Sequence, residues 1–236
     1  MTQLAIKIAA FFVGLTSAGA AFPQNLAVPL PANIVQLSAA ATVEVQQDFL
    51  VLTLSTTREG ADAAAVQSQL KTALDGALSE VKKTAQPGLM EVRTGGFNLN
   101  PRLGNEGKLR GWQGSTELVL EGRDFSRITA AAAKVQSLTI GNIAFGLSRE
   151  ERAKAEAETQ LQAIDSFKSK AMSVSKAFGF SSYTLREISV SANDRGPVPM
   201  RSRAMEVKSS FSSAPVAIEA GKTAVTVDVS GSVQLK

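Results

Sequence analysis

The sequence contains no cysteine and no histidine. Without them there is no conventional structural zinc site, no thiol redox centre and no histidine-ligated haem. The imidazole that most often serves as general base near neutral pH is missing too, so Ser-His-Asp and Cys-His arrangements are excluded. Aromatic residues make up only 6% of the chain, one Trp and one Tyr beside eleven Phe. Positive charge is not concentrated either: basic residues are interspersed with acidic ones, in pairs such as Lys82-Lys83, and the formal charge is only +4. The sequence pI of 9.4 overstates basicity, because little titrates between the carboxylates and the lysines. A nucleic-acid binder clusters its positive charge and often supplies aromatic faces, so no nucleic-acid partner is expected. What is present is apolar: 44% hydrophobic content over 236 residues supports a packed core.

Residues 1–22 read MTQLAIKIAAFFVGLTSAGAAF. Lys7 closes a short positive region, Ile8 to Leu15 form an apolar run, and Ala18, Ala20 and Ala21 surround a small-residue cleavage site. This is the three-part pattern of a secretory signal, with small side chains at −3 and −1 of a cut after Ala20. As a membrane anchor the run falls well short of the ~20 residues a spanning helix needs, and no later stretch is long and uncharged. Residues 1–20 are therefore expected to be a cleaved signal peptide, leaving no transmembrane anchor after processing. Residues 21–37, punctuated by Pro23, Pro29 and Pro31, read as an extended lead-in.

The remaining chain, residues 38–236, reads as a single domain. Val43, Val45 and the run Phe49 to Leu54 predict two strand segments interrupted around Gln46-Gln47-Asp48. Asp62 is placed to cap a first helix whose Val66, Leu70, Leu74, Leu78 and Val81 share one face. A strand from Met90 to Asn100, closed by Pro101, and a return strand from Trp112 to Glu121 follow. Asp124 then caps a short helix with Phe125, Ile128, Ala132 and Val135 inward, and Thr139 to Phe145 form another strand. Ser148-Arg149-Glu150-Glu151 fits a capping box at the head of the longest helix. Its inward face reads Ala157, Leu161, Ile164, Ala171, Val174 and Phe178, and Gly179 ends it. Val225, Val227, Val229, Val233 and Leu235 alternate with polar residues, the pattern of an antiparallel strand wet on one side. The expected fold class is α+β: two layers, a mainly antiparallel sheet with one long and two shorter helices packed on one face.

Five segments, in order, resemble one known family. ATVEVQQDFLVLTL (41–54), VRTGGFNLNPRL (92–103), GWQGSTELVLEGRD (111–124), IAFGLS (143–148) and IEAGKTAVTVDVSGSVQL (218–235) are similar to the successive motifs of SIMPL-domain proteins. Ala220 and Gln47 stand where that family often has proline, and Phe167 is bulky for a helix usually richer in alanine. The resemblance implies an exported, periplasmic protein with no established catalytic activity. Some bacterial members are associated with tolerance of oxidative or other envelope stress, and some form ring-like or hollow oligomers. It carries no catalytic, cofactor-binding or metal-binding residues to transfer, and none are assigned. The chain is accordingly expected not to be an enzyme.

Other motifs have plainer readings. Gly95 to Pro101 lacks the helix N-terminus that a phosphate loop requires. Glu150, Glu151, Glu156 and Glu158 alternate with Arg149, Arg152 and Lys154, which fits ion pairs on a solvated helix face better than a cation site. Ser166, Lys168, Ser169 and Lys170 lack any context that would lower a lysine pKa for a Ser-Lys dyad. The segment from Asn193 to Lys222 is unusually long for a connection between two strands. It carries Arg195, Pro197, Met200, Arg201, Arg203, Met205 and Phe211, which suit either a surface loop or an arm docking on a neighbouring subunit or an envelope protein partner. Two functions stay open at this point. One is a homo-oligomeric envelope protein using that arm; the other is a monomeric periplasmic binding module for a small molecule or peptide.

Overall fold

The computed structural model describes residues 32–104, 107–192 and 218–236. In chain order the elements are β1 (Ile34–Gln46), β2 (Phe49–Gly60), α1 (Ala63–Lys82), β3 (Glu91–Leu103), β4 (Leu109–Gly122), α2 (Phe125–Lys134), β5 (Thr139–Gly146), α3 (Arg149–Ala177), β6 (Tyr183–Ala192) and β7 (Lys222–Leu235). The class is α+β with antiparallel strands, one long helix and two shorter ones, as the sequence predicts. The strands, however, divide between two sheets, ordered β1-β7-β6 and β3-β4-β2-β5. The helices divide with them: α1 and α2 cover the four-stranded sheet and α3 covers the three-stranded one.

The division is made at Gln47-Asp48. The backbone N–H of Gln47 donates to the Gly221 carbonyl at 3.0 Å, beside the three-stranded sheet. The next N–H, of Asp48, donates to the Gly146 carbonyl at 3.1 Å, at the end of β5. Consecutive strands β1 and β2 are thereby committed to different sheets. Gln47 makes this bond with an N–H that a proline lacks, so the departure from proline at this position adds a hydrogen bond to the junction.

Each sheet has its own core. Leu50, Leu52 and Leu54 of β2 alternate inward with Leu118 and Leu120 of β4, against Ala73, Ala77 and Val81 of α1 and Ile128, Ala131 and Ala132 of α2. On the other sheet Val227, Val229, Val233 and Leu235 of β7 meet Ala163, Phe167 and Ala171 of α3. Burying each such leucine or valine stabilises the fold by roughly 1.5–3 kcal/mol. Alanines at the helix contacts let the helix axes approach the sheets closely.

The caps follow the sequence. Asp62 accepts from the Ala65 N–H at 2.8 Å and Asp124 from the Arg127 N–H at 2.9 Å. Gly179, at φ 82°, closes α3. The Phe180 N–H donates to the Ser175 carbonyl and the Gly179 N–H to the Lys176 carbonyl, the paired bonds of a Schellman ending.

Three details differ from expectation. The buried line of α3 is Ala155, Thr159, Ala163, Phe167, Ala171 and Ser175. Of the predicted face it keeps Ala171, with Ile164 packed part-buried against the core, while Ala157 is exposed and Leu161 and Phe178 are 65% and 67% exposed. Four residues advance about 40° past a full turn, so such a line winds around the helix and suits a twisted sheet. Apart from Phe167, small side chains fill it, which leaves little apolar periodicity to detect. Strand β3 continues through Pro101 to Leu103, as an edge strand can, since the proline needs no ladder N–H on its outer side. Strand β1 begins at Ile34, so the end of the expected lead-in is already paired to β7.

Candidate functional site

The residues singled out for cleavage, Ala18, Ala20 and Ala21, lie outside the described residues, as do Arg195, Pro197, Met200, Arg201, Arg203, Met205 and Phe211 of the proposed arm. Only the arm's C-terminal end is described. There Ile218 packs on the core of the four-stranded sheet, and the Gln46 side chain donates to the Ala220 and Gly221 carbonyls at 2.8 and 3.1 Å.

The Gly95-Gly96 pair sits within β3, with the Gly96 N–H donating to the Glu117 carboxylate at 3.3 Å. A Cβ on Gly95 would lie 2.8 Å from the Glu117 Cβ, so this glycine permits close strand packing. The four glutamates of α3 do not converge: among the described residues no group of three or more acidic side chains could hold a metal ion. Lys170 reaches away from Ser166 and Ser169 and donates to the Ser38 carbonyl of β1 at 2.9 Å.

The best-organised polar site is one that sequence inspection missed. Ser148 caps α3 by accepting from the Glu151 N–H at 3.3 Å, the first half of the expected capping box. The second half is replaced. The Ser148 N–H donates to Asp48 Oδ1 and the Ser148 hydroxyl to Asp48 Oδ2, each at 2.7 Å. Arg123 completes the cluster, its Nη2 lying 3.1 Å from Asp48 Oδ2. One carboxylate at the break between the sheets therefore ties together β1–β2, the end of β4 and the start of the longest helix. The negative charge is well placed near a helix N-terminus. Beside it opens a cleft of about 710 Å³ whose walls include Phe49, Arg123, Arg149, Glu91, Glu121 and Glu150. Charges of both signs line it.

Just beyond β4, at the cap of α2, the carboxyl of Asp124 is held below the usual carboxylate range, chiefly by the hydrogen bond from the Arg127 N–H. Glu80 on α1 is lowered likewise by its hydrogen bond from Lys83.

The second candidate surface is the outer strand of the three-stranded sheet. Strand β6 is exposed along nearly its whole length. Leu185, Ile188 and Val190 are 46%, 45% and 41% exposed. They pair with Val233, Gly231 and Val229 of β7, and Val229 and Val233 lie beneath α3. The three apolar side chains thus share α3's side of the sheet but lie mostly beyond the helix. Among the described residues no strand pairs with the outer side of β6. Such an edge, apolar and backbone-exposed, is a template for strand addition.

Among the described residues no helix is long and apolar enough to cross a membrane. No curated protein matches the sequence. Two crystal structures of AtUAH, one in complex with glyoxylate and one with (S)-hydroxyglycine, are similar at 15% and 14% identity, both with a TM-score of 0.23. The matches cover 56% and 57% of this chain and 34% and 35% of those chains, so the chain spans about a third of their length. At that level neither fold nor function follows. The family model SIMPL, described as a protein of unknown function (DUF541), matches residues 35–233, from the first residues of β1 almost to the end of β7, and the chain belongs to the SIMPL family.

Proposed function

We propose that the chain is an exported, non-enzymatic protein of the bacterial periplasm that works as a homo-oligomer in the cell envelope and contributes to stress tolerance there. The observation that carries the oligomeric reading is β6, with exposed apolar side chains on a strand whose outer side has no described partner. The signal-like N-terminus supports export, and the lack of histidine and cysteine removes the commonest catalytic and thiol-redox groups. Any part in oxidative stress runs without thiols.

The test is the absolute mass of protein purified from the periplasmic fraction, measured by light scattering behind a sizing column. A defined multimer with an N-terminus at Ala21 is expected. A monomer at all concentrations overturns the oligomeric reading, and full-length protein in the cytoplasm overturns export.

A second reading, a monomeric periplasmic binding module for a small molecule or peptide, is favoured by the cleft beside Asp48. Its volume of about 710 Å³ lies within the range of ligand sites. A ligand class that raises the melting temperature with concentration is the result expected of it.

A further inference from the structure

We infer that β6 pairs antiparallel with β6 of a second copy of this chain, across a twofold axis lying between Arg186 and Glu187. The inference rests on the oligomeric reading above and names its surface and register.

The segment Tyr183-Thr184-Leu185-Arg186-Glu187-Ile188-Ser189-Val190 is self-complementary when two copies run in opposite directions. Leu185 then meets Ile188, Tyr183 meets Val190, Thr184 meets Ser189 and Arg186 meets Glu187. The faces match as well as the chemistry. Tyr183, Leu185, Ile188 and Val190 pair with Leu235, Val233, Gly231 and Val229, on α3's side of the sheet. Thr184, Glu187 and Ser189 pair with Gln234, Ser232 and Ser230, on the wet side.

Arg186 is the extra residue of a β-bulge, where the register shifts between Leu185 and Glu187. Its Nη1 donates to the Gln234 side chain at 3.0 Å, which puts it on the wet side beside Glu187. The bulge therefore reverses the alternation at the centre of the segment. A strand with unbroken alternation cannot set Leu185 opposite Ile188 on one face, whereas this one does.

Register is thereby fixed. Sliding the copies by a residue or two in either direction puts an apolar side chain opposite a polar one. A slide of the axis onto either central residue sets Arg186 or Glu187 against its own copy, which is destabilising. An isologous contact of this kind is closed and limits itself to a pair.

The other edge of the same sheet is managed differently. In β1 the Ser38 carbonyl is occupied by Lys170, and on the four-stranded sheet the edge strand β3 carries a bulge at Gly95-Gly96 and Pro101. These are devices that discourage strand addition. In β6 the bulge instead aligns opposite charges across the axis, and Leu185, Ile188 and Val190 of both copies form one apolar strip between two α3 helices.

Charge reversal tests the inference on protein purified from the periplasmic fraction, with circular dichroism melting to confirm that each variant folds. Arg186→Glu and Glu187→Arg each replace two opposite-charge contacts by two like-charge ones, and each is expected to weaken the pair about 10- to 100-fold. The double swap Arg186→Glu/Glu187→Arg restores the opposition and is expected to recover the wild-type dissociation constant within about threefold. As a second measurement, Leu185→Cys/Ile188→Cys introduces the only cysteines in the chain, and mild oxidation is expected to give a covalent dimer. A wild-type multimer whose dissociation constant neither reversal changes overturns the β6 register and leaves the oligomeric reading standing. A wild-type monomer at every concentration overturns both.

Discussion

Replacing Asp48 with alanine removes the acceptor for three donors at once: the Ser148 N–H and hydroxyl at 2.7 Å each, and Arg123 at 3.1 Å. Ser148 is buried, so its N–H loses its partner without full access to water, a cost of about 1–3 kcal/mol. The hydroxyl adds about 1 kcal/mol, since it still accepts from Glu151 but donates to nothing. The partly exposed ion pair adds roughly 0–1 kcal/mol. Some access of water to the site trims the sum, leaving a destabilisation of about 2–4 kcal/mol. At about 2–4 °C per kcal/mol for a chain of this size, the melting temperature falls by roughly 5–15 °C. Thermal and urea unfolding followed by circular dichroism read both quantities. Ser148→Ala deletes one of the same bonds, so a double-mutant cycle with Asp48→Ala is expected to return about 1 kcal/mol of coupling. A loss below about 0.5 kcal/mol for Asp48→Ala, or strict additivity with Ser148→Ala, refutes the view that this carboxylate ties the two sheets together.

Three further outcomes are expected. Phe167→Ala empties the centre of the α3 contact and costs about 3–5 kcal/mol in urea unfolding, whereas Leu161→Lys on the same helix stays within about 0.5 kcal/mol of wild type. Gly122→Ala clashes with the Leu89 carbonyl, which already accepts the Arg123 and Asp124 N–H groups at 3.0 and 3.1 Å, and does so at φ 154°; a loss of about 2–4 kcal/mol is expected in the same assay. The lowered carboxyls of Asp124 and Glu80 contribute stability above their unfolded values near ~4 that is lost as pH falls through the folded ones. Melting temperatures are therefore expected to be flat from about pH 6 to 8, where no histidine titrates, and to drop below about pH 4.5. Asp124→Asn is expected to shallow that acid limb, and an unchanged limb refutes the assignment.

Legibility in the sequence follows the range of the interaction. The alternation of β7 and the α1 positions Val66, Leu70 and Val81 were readable because burial follows a local period, and all are buried. Caps at Asp62 and Asp124 reach only three residues ahead. The inner line of α3 was not readable, since Ala, Thr and Ser leave little apolar contrast and the larger Leu161 and Phe178 point out. Division into two sheets is hidden because it depends on which distant strand each of two consecutive segments pairs with. Asp48 and Ser148 are separated by 100 positions, and no local pattern announces that one completes the other's cap. The apolar character of Leu185, Ile188 and Val190 is visible in the letters, but their place on an outer strand beyond α3 is not.

The pairing of β1 with β7 makes the order of synthesis matter. These strands are matched along their whole length, from Ile34 opposite Gln234 to Gln46 opposite Lys222, and Thr42 bonds Thr226 at a separation of 184 positions in the chain. β7 is the central strand of its sheet, so neither β1 nor β6 has a described strand to pair with until β7 is made. The four-stranded sheet uses only residues from Phe49 to Gly146 and can close earlier. Contacts of such long sequence separation form slowly, so β1 waits, unpaired, through most of translation. For a chain proposed to thread through a translocation pore, that delay keeps the three-stranded sheet open until passage is nearly complete.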